Sequence, residues 1–222
     1  MAKAPRQGDV KTRLVPPLTA AEASALSAAF IRDTAENILA AADSVAIEGF
    51  VAYSPAGSAA AFADVLSTAI QLLPPRRTGL AAGLLDAASD LLAAGYAAAC
   101  LVNADSPNLP TSLLIRAAQA LAAPGDRVVL GRADDGGYYL IGLKQPHHRL
   151  FEGIAWSTEL VFQQTLDRAA EIGLAVHALP VWYDVDDIAS LRRLIGDLAA
   201  PDRSGYRALH TSALLRKLAH RL

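Results

Sequence analysis

The chain has 222 residues, 53% of them hydrophobic and 19% charged, which is enough apolar material for a sizeable core and too little charge for a disordered chain. Lys and Arg number 20 against 22 Asp and Glu, a net charge of −2 that gives no electrostatic case for nucleic acid or an anionic membrane. The single cysteine, Cys100, excludes a disulfide framework within one chain; inside its apolar run it reads as a small core residue. Met1-Ala2-Lys3-Ala4-Pro5 has no apolar leader, and the most apolar window, Gly79 to Val102, is interrupted by Asp86, Asp90 and Gly95. No membrane span is expected, and the cytoplasm is the expected location.

Lys3 to Leu18 reads as a loop, with Pro5, Gly8, Pro16 and Pro17 among its residues. Thr19 and Glu22 form a capping box that opens a helix running to about Ala42. Val45 to Tyr53 reads as a strand, followed by a short helix near Ala59–Leu66, a strand near Ala69–Leu73 and a helix over Gly79–Ala94. An apolar strand then leads into Asp105, and Thr111 or Ser112 can cap the next helix, which reaches Ala122. Strands over Arg127–Ala133 and Tyr138–Leu143 flank the turn at Gly136-Gly137. Ser157 or Thr158 is expected to cap a helix that Gly173 ends; a short strand over Ala175–Leu179 and a helix over Ile188–Leu198 follow. The tail from Ser204 reads as a basic helix. Strands alternating with helices predict an α/β fold with a mainly parallel sheet and right-handed crossovers, in one domain.

Four segments carry candidate chemistry. In Lys3-Ala4-Pro5-Arg6-Gln7-Gly8-Asp9-Val10-Lys11-Thr12-Arg13, Lys11 and Arg13 point the same way if the chain is extended, and two fixed cations suit a diphosphate; the alternative is a basic surface loop. Asp105 follows an apolar strand, where ligands of α/β sheets sit, or else it caps its own turn. In Asp134-Asp135-Gly136-Gly137-Tyr138 the carboxylates either hold substrate hydroxyls or form a polar hairpin turn. Asp184-Val185-Asp186-Asp187 offers hard oxygen ligands for Mg²⁺, or an N-cap for the following helix, and both can hold together. Trp156 stacks a ring or anchors a helix start, and Phe30, Phe62 and Phe151 read as core. His147-His148 read as a solvated loop; His177, His210 and His220 show no partner in the sequence, and Arg192-Arg193 read as a solvated face.

These segments, in order, resemble the bacterial radical-SAM/selenodomain-associated transferase family: Lys3-Ala4-Pro5…Gly8…Lys11-Thr12-Arg13-Leu14, Asp105-Ser106-Pro107-Asn108-Leu109, Asp134-Asp135-Gly136-Gly137-Tyr138-Tyr139, Trp156-Ser157-Thr158 and Asp184-Val185-Asp186. The resemblance implies a glycosyltransferase-like protein with the three-layer GT-A (nucleotide-diphospho-sugar transferase) fold, similar also to guanylyltransferases of molybdenum and deazaflavin cofactor synthesis. It implies a domain over residues 1–200 with a helical tail, 201–222, packed on it. Lys3, Gly8, Lys11 and Arg13 would hold the nucleotide and its phosphates, while Asp105, Asp184 and Asp186 would hold Mg²⁺ or Mn²⁺. Asp134 and Asp135 would be catalytic, with Gly136, Gly137, Tyr138, Trp156, Ser157 and Thr158 lining the acceptor or sugar side.

Three places depart from that family's pattern. Only Met1-Ala2 precede Lys3, so the first strand reads as truncated; Thr78-Gly79-Leu80-Ala81-Ala82-Gly83 lacks the Asp and Arg of a Gly-Asp-Leu-Gly-x-Arg segment; Asn103 stands where a two-aspartate motif has its first carboxylate. The expected function is metal-dependent transfer from a nucleotide or nucleotide-sugar donor to a small acceptor. The alternatives are nucleotidyl transfer to a phosphorylated acceptor and an inactive nucleotide-binding protein.

Overall fold

The computed structural model describes residues 1–200 and 205–222; Ser204, the expected start of the tail, lies outside the described residues. In chain order the elements are β1 (Ala2–Lys3), α1 (Ala20–Ala42), β2 (Phe50–Ser54), β3 (Gln71–Leu73), α2 (Leu80–Ala93), β4 (Ala99–Val102), α3 (Thr111–Ala122), β5 (Arg127–Ala133), β6 (Tyr138–Leu143), α4 (Val161–Glu171), β7 (Ala175–Trp182), α5 (Ile188–Ala199) and α6 (Leu209–Leu218). They fall into two compact units that interleave along the chain. One comprises Ala2–Pro74, Ala104–Thr111 and Asp184–Leu222; the other comprises Met1, Pro75–Asn103 and Ser112–Tyr183.

The first unit holds a parallel three-stranded sheet in the order β1-β2-β3. Although only two residues long, β1 pairs as a strand, Ala2 with Tyr53 and Lys3 with Ser54, and the Ala4 N–H extends the ladder to the Ser54 carbonyl at 2.7 Å. Strand pairing needs only backbone donors and acceptors, so the short N-terminal segment joins the sheet without an apolar run of its own. Ala2, Ala4, Val51 and Tyr53 pack with Ile31 and Ala35 of α1 and with Phe62 and Ile70. Helix α1 starts where predicted: the Glu22 N–H donates to Thr19 Oγ1 at 3.2 Å and the Thr19 N–H donates to Glu22 Oε2 at 2.7 Å. The α6 N-terminus is tied to α1 by Asp33, whose two oxygens accept the His210 N–H at 3.0 Å and the Thr211 N–H at 2.7 Å.

The second unit holds a sheet in the order β4-β6-β5-β7. Its β6 runs antiparallel to both β4 and β5, and β7 runs parallel to β5, so β4, β5 and β7 share one direction. The reversal at β6 follows from the short turn joining it to β5. Val128, Val129 and Leu130 of β5 and Leu140 and Ile141 of β6 are fully buried, as continuous apolar runs in a covered sheet should be. Among the described residues three of the five strand pairings are parallel, which makes the α/β fold mainly parallel. No described helix is long and apolar enough to cross a membrane.

Several local expectations are corrected. The strand expected from Val45 begins only at Phe50. Neither Ser157 nor Thr158 caps α4, which starts at Val161; the Thr158 hydroxyl donates to the Ala155 carbonyl and accepts the Leu160 N–H, turning the chain ahead of the helix. The Thr111 hydroxyl donates to Asn37 Oδ1 at 2.6 Å. Cys100 is exposed, whereas Ala99, Leu101 and Val102 of β4 are buried. His147 and His210 do have partners: His147 Nε2 meets Asp126 Oδ2 at 2.8 Å and His210 Nε2 meets Glu36 Oε1 at 2.9 Å.

Candidate functional site

The expected phosphate loop and part of the expected acidic set meet in the three-stranded unit. After β1 the chain turns at Gly8, whose φ of +81° is open to glycine; a Cβ there would meet nothing within 4 Å, so the requirement is conformational. Lys3 braces the loop from within, its Nζ donating to the Asp9 carbonyl at 2.8 Å, and the Ser24 hydroxyl of α1 donates to the Pro5 carbonyl at 2.6 Å. Lys11 then takes a left-handed backbone (φ 48°, ψ 37°) as it enters the single turn Thr12–Leu14. That conformation costs a non-glycine residue about 1–2 kcal/mol and is found where surrounding contacts over-determine it.

Those contacts are visible at the Lys11 ammonium. Its Nζ donates to Asp105 Oδ1, to Asp186 Oδ1 at 3.0 Å and to the Val185 carbonyl at 2.7 Å, and it lies 5.2 Å from the centroid of the buried Phe30 ring. The Lys11 side chain is only 5% exposed, whereas those of Asp105 and Asp186 are 44% and 36% exposed. Burial alone pushes the Lys11 pKa down, but the Asp105 and Asp186 carboxylates outweigh it and hold the amine above its ordinary value, so it is charged. Arg13, 71% exposed, donates from Nη2 to Asp186 Oδ2 at 2.9 Å.

Backbone bonds set the two acidic segments. The Val185 N–H donates to the Asp105 carbonyl at 2.9 Å, and the Leu109 N–H closes the turn after Asp105 onto the Ser106 carbonyl at 3.0 Å. Buried Asn37 of α1 holds that segment from below, its Nδ2 donating to the Leu109 carbonyl at 2.7 Å. The structural reading of the second acidic segment also holds: Asp187 caps α5 by accepting the Ser190 N–H at 2.8 Å, and hydrogen bonds from Ser190 lower its pKa. Asp186 is thereby left to Lys11 and Arg13.

Asp105 and Asp186 are hard oxygen donors that converge on one cation, a donor set that suits Mg²⁺ or Mn²⁺ when phosphate oxygens and water complete the shell. Asp184 is half-buried. Among the described residues, the group of three or more acidic, His or Cys side chains whose ligand atoms lie within 4.8 Å of one another is Asp33, Glu36 and His210, not Asp105, Asp184 and Asp186. Sequence reasoning missed that first group: Asp33 and Glu36 share a face of α1, but nothing local to His210 marks it as their partner. Its hydrogen bonds to the start of α6 give it a helix-docking role.

The other expected residues lie in the four-stranded unit. Asp134 and Asp135 are exposed at the β5–β6 turn. Asp135 Oδ1 accepts the Gly137 N–H at 2.8 Å, the turn role weighed from the sequence. Gly136 has φ +92°, and a Cβ there would stand 2.3 Å from the Glu159 carbonyl oxygen, so glycine lets the Trp156–Leu160 loop close over this turn. The Phe162 N–H donates to the Gly136 carbonyl at 2.9 Å. Trp156 is half-buried, edge-on to Tyr138 (6.3 Å, 84°) and stacked with Phe151 (6.4 Å, 13°), while Ser157 and Thr158 are exposed and Ser157 has φ 64°. Tyr138 is half-buried, and its hydroxyl oxygen is buried without a hydrogen-bond partner among the described residues. Of the departing residues, Asn103 donates its N–H to the Tyr139 carbonyl at 3.0 Å. Beside Thr78–Gly83, Arg77 forks onto the buried Asp86 (Nε to Oδ2 2.9 Å, Nη2 to Oδ1 2.6 Å).

The fold matches a crystal structure from Desulfovibrio desulfuricans G20 described as a "putative nucleotide-diphospho-sugar transferase", with a TM-score of 0.86 and 27% identity over 99% of this chain and 93% of that one. The α/β fold seen here is therefore that of a protein so described. A family model, DUF2064 (uncharacterized protein conserved in bacteria), matches residues 37–158, more than half of the chain, and the chain belongs to that family. The match includes Asp105 and the Asp134–Thr158 segments; Lys11, Arg13 and Asp186 lie outside it. No curated protein matches the chain.

Proposed function

We propose that the protein is a glycosyltransferase-like enzyme that uses a nucleotide-diphospho-sugar donor, within the group the sequence resembles, the radical-SAM/selenodomain-associated transferases. The observation that carries this reading is the buried Lys11 ammonium between two half-exposed carboxylates at a glycine-containing loop, with Arg13 exposed beside it. The described likeness of the Desulfovibrio structure supports the donor class. In this proposal Lys11 and Arg13 bind the donor diphosphate by charge-assisted hydrogen bonds, and the developing charge on the departing nucleoside diphosphate is stabilised by the same groups. Asp105 and Asp186 hold the divalent cation, which when bound neutralises the diphosphate. The Asp134–Tyr138 turn and Trp156 are assigned to recognition of a small acceptor, with Asp134 and Asp135 orienting its nucleophile.

The test is a melting-point screen of nucleoside mono-, di- and triphosphates and nucleotide-diphospho-sugars, each with and without Mn²⁺. A ligand that binds only the native state raises the midpoint in proportion to the logarithm of its concentration over its Kd. The expected result is a Mn²⁺-dependent rise with nucleotide-diphospho-sugars, removed by Asp105→Ala. A preference for triphosphates would replace the proposal with nucleotidyl transfer, and no shift with any nucleotide would end it.

A further inference from the structure

We infer that Lys11 competes with the donor's divalent cation for Asp105 and Asp186, so that cation and diphosphate enter as a coupled pair. The inference rests on the reading above that these carboxylates hold a cation. The ammonium already satisfies both: it donates to Asp105 Oδ1 and, at 3.0 Å, to Asp186 Oδ1, and the Val185 carbonyl takes a further bond at 2.7 Å. A divalent ion between the same carboxylates would stand against a like charge at contact distance, which in a partly desolvated site is strongly unfavourable. Lys11 therefore has to move before the ion can bind.

Moving has a cost that water alone does not offset. The side chain is 5% exposed, its ammonium lies 5.2 Å from the centre of the Phe30 ring, and on leaving its acceptors it loses charge-assisted hydrogen bonds at a place that solvent reaches poorly. A diphosphate supplies what is missing, since its oxygens are anionic acceptors that can take over the displaced amine. The cation alone should then bind weakly and the cation with a diphosphate tightly, with each ligand raising the other's affinity by the same factor. Arg13 differs: 71% exposed and bound, among the described residues, at Asp186 Oδ2, it can turn to a phosphate without opening the carboxylate pair.

The experiment is a Mn²⁺ titration of the full chain without nucleotide, following free Mn²⁺ by electron paramagnetic resonance, for wild type, Lys11→Met and Lys11→Gln. With the resident charge removed, either folded variant should bind Mn²⁺ at least about tenfold more tightly than wild type, a conservative figure for a displaced charge-assisted bond, and adding Asp105→Asn should abolish the gain. Equal or weaker Mn²⁺ binding by a folded variant overturns the inference, because a plain phosphate-binding or structural lysine predicts no gain. A second measurement uses wild type alone: acetylation of Lys11 by acetic anhydride, read by peptide mass spectrometry against exposed Lys3, should rise when Mn²⁺ saturates the protein. Unchanged labelling at saturation overturns the inference even if neither variant folds. Mn²⁺ binding that ignores Lys11 sinks this inference and leaves the proposed function standing. Absence of Mn²⁺ binding in wild type and variants, with donor present or absent, sinks the cation reading itself.

Discussion

At Lys11 and Arg13, two cations two residues apart have different environments. Lys11 is buried and bonded to two half-exposed carboxylates, while Arg13 is exposed and bonded, among the described residues, to Asp186. An exposed ion pair contributes under about 1 kcal/mol to stability, so Arg13→Ala should leave the melting point close to wild type. Its expected effect is on phosphate: nucleoside diphosphate binding, measured by calorimetry, should weaken about tenfold or more while free nucleoside binding is unchanged. Equal losses for both ligands would assign Arg13 to folding. At Gly136 the expectation is reversed. Gly136→Ala places a methyl 2.3 Å from the Glu159 carbonyl oxygen in a left-handed backbone, which should cost at least about 1–3 kcal/mol in urea unfolding. A neutral Gly136→Ala would mean that the Trp156–Leu160 loop does not close over this turn.

Among the elements, α6 is tied to α1 by two carboxylates, Asp33 at its backbone N–H groups and Glu36 at the His210 ring, and Asp33 is the buried one. Burial pushes the Asp33 pKa up from 3.8, against the hydrogen bonds donated by Thr211 and His210. A folded-state pKa above the unfolded one means that the folded protein holds the proton more tightly. The associated stability is fully present below the unfolded pKa and is lost as pH rises through the raised folded value. Wild type should therefore lose stability relative to Asp33→Asn as pH rises from roughly 4 towards neutrality. Melting curves of the two proteins across that range check the sign; a gap that widens in favour of wild type would contradict it. Helix α4 shows the opposite case, an element whose N-terminus lacks a side-chain cap and whose start is set by the Ser157–Leu160 turn.

For the whole molecule, α6 packs within the three-stranded unit, against α1. Leu215 and Leu218 of α6 are buried, as is Thr211 beside Asp33. Ending the chain after Ala200 should remove roughly 3 kcal/mol or more of stabilisation, counting the two leucines alone. Chemical denaturation of the shortened protein measures this; an unchanged unfolding midpoint would make the tail an appendage.

Much of the scaffold was legible because its causes lie within a few residues. The Thr19–Glu22 box opens α1, Asp187 caps α5, and the apolar runs of β5 and β6 mark buried strands. Lys11, Asp105 and Asp186 were legible one at a time, as polar residues at breaks in regular structure. The ammonium between the two carboxylates was not, because it joins positions 94 and 175 residues apart. Cys100 differs for the same reason: its apolar run reads as core, but which positions of β4 are covered is decided by packing against distant stretches, which cover Ala99, Leu101 and Val102 and leave Cys100 exposed. His210 likewise finds Asp33 and Glu36 only when α6 docks on α1. Local hydrogen bonds and hydrophobic runs are written in short stretches of chain. The burial of a charge, and the partners that make it tolerable, exist only once distant stretches have come together.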